Sequence, residues 1–283
     1  MIFGEPSFQY FGYFDAIESG LYFVIVGYYF LLFAYFLLMR FRISKKLYWL
    51  FFSLLFLWLA AGRVFFIIYY FFVPEFNLSN VEIVNNLMLY YRLATFCTWM
   101  GISMIMGVLG VLLFPLEAEV GEKIDKEQND KKFVLTSRRK LYIRIILIII
   151  PIVVGILVLF IPSEFLMDPN FVTKYNIDID LATIKIADWS YPVGRFVLNF
   201  ILLPLLVTII PIVYIYLAWK TFGVLRRSYA LNAVGFLIYF TGRIGQGVLT
   251  TIGAVHTAAV LPPLFILLSL LILVLANNIE QLK

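Results

Sequence analysis

Four arginines fall inside or at the edge of long apolar stretches: Arg63, Arg92, Arg195 and Arg243. A guanidinium keeps its proton and offers five N–H donors in a planar fork. Placing one at the centre of a membrane helix costs about 2.5–3.5 kcal/mol on insertion scales. Such a group pairs with an acid, donates to carbonyls, lines a wet cavity or snorkels to an interface. The recognition chemistry it suits is that of carboxylate and phosphate.

Two arrangements of these residues follow. In the first, Arg63, Arg92 and Arg243 converge on an outward-open pocket for a small anion. Tyr69, Tyr90, Tyr91 and Tyr239 supply further donors, and Trp99 and Gln246 line the floor. Arg195 lies nearer the rim, where snorkelling is its first alternative. His256, the only histidine, stands at the outer start of the last apolar stretch, either as part of the pocket or as an interfacial polar residue. In the second arrangement the arginines lock the helices together. Their counter-charges are then Asp15, Glu18, Glu82 and Asp188, with Glu75 and Glu164 also at the outer rim, or backbone carbonyls.

The elements that must position these side chains are read from composition. The chain has 283 residues, of which 63% are hydrophobic and 14% charged. Its mean hydropathy is +0.96. Soluble domains carry about 25% charged residues, so this chain has too little polar material to cover a water-facing surface. Its apolar runs reach the roughly 20 residues that cross a bilayer. In hydrocarbon the backbone must satisfy its own hydrogen bonds, so runs of this length are helices. The fold class is an all-α polytopic membrane protein, expected as one transmembrane domain over 1–283. Seven spans are placed at 18–39, 47–72, 84–114, 141–161, 192–219, 230–252 and 257–276.

Lysine and arginine set the expected orientation. Arg40, Arg42, Lys45 and Lys46 follow span 1, a run from Lys123 to Lys140 separates spans 3 and 4, and Lys220, Arg226 and Arg227 follow span 5. The opposite side carries only Lys174 and Lys185, in the loop before span 5. The positive-inside rule then puts the N-terminus outside and the C-terminus in the cytoplasm, as for a multi-pass plasma-membrane protein. Residues 1–17 lack a basic n-region, so span 1 is expected to insert as a retained anchor. Pro262 and Pro263 predict a kinked seventh span, with a re-entrant turn as the alternative. The charged segment 116–140 reads as a solvated cytoplasmic loop, with docking of a protein partner as its functional alternative. Segment 162–191 reads as an external loop able to fold over the outer mouth. Gly62-Arg63 and Gly242-Arg243 recur at an offset that also relates Arg40 to Lys220, which suggests a 3+1+3 parallel repeat of the kind seen in transporters.

Several functions are disfavoured by residue content. One cysteine, Cys97, and one histidine leave no metal cluster and no bis-histidine haem. A retinal Schiff base needs a lysine within a span, and none of the seven contains one. No cofactor is expected. The net charge of +5 sits in short loops as a topology signal, which does not point to nucleic acid. Spans 2–7 hold no acid, so a proton or cation path finds no support. An enzymatic reading lacks a nucleophile with a base. The expectation is a seven-helix sensor or receptor-like protein in the lipid bilayer, binding a small anionic ligand and signalling through a cytoplasmic partner. The alternatives are a secondary transporter of a small anion and a non-catalytic scaffold or assembly subunit.

Overall fold

A computed structural model describes residues 12–114, 137–186, 189–251 and 254–278. Among the described residues, seven long helices carry the fold. They are α1 (Tyr13–Ser44), α2 (Leu47–Glu75), α3 (Asn80–Leu113), α4 (Ser137–Phe160), α5 (Val193–Lys220), α6 (Gly223–Thr251) and α7 (Val255–Asn278). Six of them, all but α6, are long and apolar enough to cross a membrane, which makes this an all-α polytopic membrane protein. Three contain a π-helical stretch: Tyr35–Phe41 in α1, Ile68–Phe72 in α2 and Val197–Leu202 in α5.

The stretch between α4 and α5 is folded. It holds a helical turn at Ser163–Leu166, a short helix at Pro169–Tyr175, and an antiparallel hairpin of β1 (Thr183–Ile186) and β2 (Trp189–Pro192). Thr183 pairs with Pro192 and Lys185 with Ser190. This hairpin marks one end of the bundle; the connections rich in lysine and arginine mark the other, the basic end. Most of the charged segment 116–140 lies outside the described residues, and so does Asp188.

Two acids that the sequence offers as counter-charges cap helices instead. Glu82 accepts from the Ser79 amide at 3.0 Å and the Ser79 hydroxyl at 2.7 Å, while Ser79 Oγ accepts from the Glu82 amide, a capping box at the start of α3. Asp15 accepts from the Gly12 amide at 2.7 Å at the start of α1. Because α1 begins at Tyr13, ahead of the expected start at 18, Asp15 and Glu18 both belong to the helix. Gly223 begins α6 at φ +64, a left-handed conformation that glycine adopts without cost, and so the chain reverses within Thr221 and Phe222.

Helices α1 to α4 pack in chain order, and so do α5 to α7. The two groups join where α1 meets α7 and, more sparsely, where α3 meets α5. Glycines set the closest approaches, as small residues do between membrane helices. A Cβ on Gly62 would stand 3.2 Å from the Ala94 carbonyl oxygen of α3, and one on Gly242 would stand 3.0 Å from the Pro262 carbonyl oxygen of α7. Helix α7 runs through Pro262 and Pro263 without a break. At the basic end a polar knot ties four helices. Arg40 of α1 donates to the Asn277 carbonyl at 3.0 Å and to Asn278 Oδ1 at 2.7 Å. Tyr48 of α2 donates to Asn277 Oδ1 at 3.1 Å, and Asn277 donates to Asn232 Oδ1 of α6 at 3.0 Å.

Candidate functional site

Arg63 stands past the middle of α2, counting from the basic end, and Arg243 stands at similar depth on α6. Each follows a glycine whose bare backbone lets the helix close on a neighbour: Gly62 on α3, Gly242 on α7. The paired arginines thereby reach a common space. They line one small cavity with Tyr29, Gly62, Thr98 and Tyr239, of water-accessible volume about 10 Å³. That is the size that holds roughly one water.

Arg63 is only 3% exposed. Its guanidinium carbon lies 4.4 Å from the centre of the Tyr22 ring, a cation–π contact. Among the described residues it has neither a hydrogen-bond acceptor nor a carboxylate within ion-pair distance. Glu18 contributes attraction from further off, but accepts its hydrogen bonds from Tyr22 at 2.8 Å and Gln246 at 3.2 Å. Gln246 also donates to the Tyr22 hydroxyl. Arg243 is half-buried, with its guanidinium carbon 5.1 Å from the Phe66 ring centre and one long hydrogen bond, 3.5 Å, to Thr98 Oγ1. Tyr29 and Tyr239 hydrogen-bond to each other at 3.3 Å on the same wall. The two cations therefore share a cavity whose lining side chains, among the described residues, include the hydroxyls of Tyr29, Thr98 and Tyr239 but no carboxylate.

The remaining arginines are placed differently. Arg92 donates to the Ile161 carbonyl at 2.8 Å and to Ser163 Oγ at 3.0 Å, joining α3 to the end of α4. Its Nε is buried without a partner. Arg195 is buried at the start of α5. It donates to the Leu166 carbonyl and, at 3.1 Å, to the Tyr69 hydroxyl, and it lies 3.8 Å from Asp168. Its guanidinium carbon is 4.1 Å from the Tyr91 ring centre. Snorkelling is thus not the arrangement of Arg195; it pins the hairpin-end segment to the bundle. Tyr69 and Tyr91 serve this second cluster, Asn199 adding a 3.4 Å hydrogen bond to the Tyr91 hydroxyl.

Other expected pocket residues stand apart. Tyr90 packs against Phe65, with ring centres 6.3 Å apart. His256 is exposed and lies against the Phe14 ring at 4.0 Å between centres. Trp99 is buried with its Cβ against Gly155 of α4, and it does not line the arginine cavity. A fifth arginine escaped the sequence reading. Arg144, buried in α4, donates from Nε to the carbonyls of Gly110 at 3.2 Å and Phe114 at 2.8 Å, satisfying the end of α3. Its signal was present: it follows Lys140 by four residues, so it shares a helix face with the basic cluster.

A second cavity adjoins the first. It extends from Arg243, Thr98, Tyr239 and Leu59, which border both, toward the basic end between α2, α3, α5, α6 and α7. Its water-accessible volume is about 50 Å³, and Leu55, Ile102, Val207, Phe236 and Leu273 are among its walls. Comparison with protein-family models, with curated proteins and with solved structures finds no match for this chain.

Proposed function

We propose that this chain is a seven-crossing membrane sensor that binds a small anion between Arg63 and Arg243. The observation that carries this reading is the state of Arg63. It is buried, permanently charged, without an acceptor among the described residues, and it faces a cavity shared with a second arginine. A buried charge normally keeps its partner, because desolvation of an unpaired one costs several kcal/mol. An anion entering this cavity supplies acceptors to both guanidinium groups at once.

Arg92 and Arg195 show what an arginine used for assembly looks like: carbonyl and hydroxyl acceptors within hydrogen-bond reach. That contrast favours binding over the scaffold reading. The walls beyond the cavity favour binding over transport. Toward the basic end they are almost wholly hydrocarbon, and an anion moving that way would lose its solvation without replacement.

The seventh crossing is α6, whose polarity lies in Arg226 and Arg227 at its exposed basic end and on its inward face. Val234, Leu237, Ile244 and Val248 are exposed, while Asn232 is buried and Arg243 lines the cavity. Intramembrane polar residues normally face the interior in this way. The positive-inside rule places the hairpin end outside and the basic end in the cytoplasm, which fits a plasma-membrane sensor. The charged segment 116–140 is then the docking surface for a cytoplasmic protein. The matched Gly-Arg pairs on α2 and α6, each closing on the following helix, support an ancestral 3+1+3 duplication.

The test is stabilisation of the purified protein in a nonionic detergent by acetate and by inorganic phosphate. A ligand at 100 times its Kd raises stability by about 2.7 kcal/mol. Arg63→Gln and Arg243→Gln should abolish that gain while Arg92→Gln leaves it intact. If neither anion stabilises the protein, or the gain survives Arg63→Gln, the anion-site reading fails.

A further inference from the structure

The two cavities are continuous in their walls but opposite in chemistry. Leu59, Thr98, Tyr239 and Arg243 belong to both. At the hairpin side the space ends on two guanidinium groups; at the basic side it ends on Leu55, Ile102, Val207, Phe236, Leu270 and Leu273. Along α2 the eight residues from Leu55 to Arg63 rise about 12 Å. A small anion without an apolar part finds donors only in the first part. A solute made of hydrocarbon alone fits only the second.

We infer that the ligand is an amphipathic monoanion: a carboxylate head held by Arg63 and Arg243, with one short alkyl chain running toward Leu273. This rests on the anion-site reading and adds the ligand's chemical class to it. The head gains acceptor-to-donor contacts that a neutral molecule lacks. The tail fills space that is apolar enough to stay dry when empty, so its burial is favourable. The apolar volume, about 50 Å³ on a measure where one water takes roughly 10–15 Å³, admits on the order of three to five methylene-sized groups. A long or branched chain would have to part α3 from α5, the sparse seam of the bundle. Chain length is therefore the property that this site measures.

The experiment is a chain-length series on the full protein in nonionic detergent: acetate, butanoate, hexanoate, octanoate and dodecanoate, with 1-hexanol as a neutral control. Binding is read by thermal stabilisation and by calorimetry. Affinity should rise roughly three- to fourfold per methylene group over the first few members and then level or fall. Arg63→Gln should remove binding of every carboxylate. Val207→Phe and Ile102→Phe, which fill the tail cavity, should flatten the rise while acetate still binds, and that retained acetate response shows that the variants fold. If acetate binds as tightly as hexanoate, the chain is not recognised and this inference falls while the anion site stands. If affinity rises with length but Val207→Phe and Ile102→Phe leave the rise unchanged, or 1-hexanol matches hexanoate, the effect is partition into the detergent phase and the inference falls. If no carboxylate binds, acetate included, the anion site itself fails and takes the inference with it.

Discussion

A guanidinium has five donors, so the acceptors around it decide what its burial costs. Arg195 has a carbonyl, a hydroxyl, an aromatic face and a nearby carboxylate. Arg63 has an aromatic face. Replacing each by methionine keeps most of the volume and removes the charge, and the outcomes should diverge. Arg195→Met leaves the Leu166 carbonyl and the Tyr69 hydroxyl without a donor, and it should cost roughly 2–4 kcal/mol, since hydrogen bonds to charged groups are worth about 1.5–3 each. Arg63→Met gives up one cation–π contact of about 0.5–2 kcal/mol but also relieves an unsatisfied desolvated charge and its repulsion from Arg243. Stability should stay within about 1 kcal/mol or rise, as happens when a binding residue is removed from an empty site. Denaturation of both variants in the same detergent checks this, and a large loss at Arg63 would mark it as structural. Much of this was not legible beforehand. The depth of the arginines could be read by counting from span ends. Their partners could not, because Arg92 and Arg195 each donate to a backbone carbonyl, of Ile161 and Leu166, which leaves no trace in residue type, and their side-chain acceptors Ser163 and Tyr69 stand 71 and 126 residues away in sequence.

At the scale of elements, three Gly-Arg pairs share one feature: the glycine makes a close approach to a neighbouring element, and that approach sets the depth and position of the arginine beside it. Gly62 closes on α3, Gly242 on α7, and Gly194 on the Ser163–Leu166 turn, where an added Cβ would stand 2.7 Å from the Phe165 carbonyl oxygen. Gly242→Ala puts its methyl against the Pro262 carbonyl oxygen at 3.0 Å and Phe265 Cβ at 3.1 Å. Neither is the end of a flexible side chain, so α6 must move away from α7. A loss of about 1–3 kcal/mol is expected, together with a weaker anion response because Arg243 moves with the helix. Gly245→Ala lies in open space on the same helix and should be neutral, or stabilising by up to about 1 kcal/mol. Thermal unfolding of the pair separates packing from helix propensity; equal losses would show that the glycines serve neither close approach. The apolar runs themselves were plain from sequence, because a bilayer demands a length that few other structures need. Which face of each helix looks inward was not. Long stretches such as those of α5 and α7 are apolar on every side, so no periodicity fixes their rotation, and the second cavity had no sequence signature.

The whole molecule stands or falls on the path of α6. Its sequence is the least apolar of the seven helices because Arg226, Arg227, Asn232, Arg243 and Gln246 all lie on it. If α6 crosses the bilayer, its two ends face opposite sides. Cys97 is the only cysteine and is buried, so Cys97→Ala gives a background that a membrane-impermeant maleimide does not label. Onto it go three single replacements at exposed positions: Asp178→Cys in the hairpin-end segment, Phe222→Cys between α5 and α6, and Thr257→Cys at the start of α7. Intact cells should label the cysteines at 178 and 257, and the one at 222 should react only once the membrane is opened. An inverted pattern would turn the bundle over, put the arginine cavity nearer the cytoplasm and make its ligand an intracellular one. Labelling of 222 and 257 from the same side would mean that α6 does not cross. In that case Arg243 could not stand at membrane depth beside Arg63. The shared cavity would lose its second cation, and an assembly role would become the better account of the buried arginines.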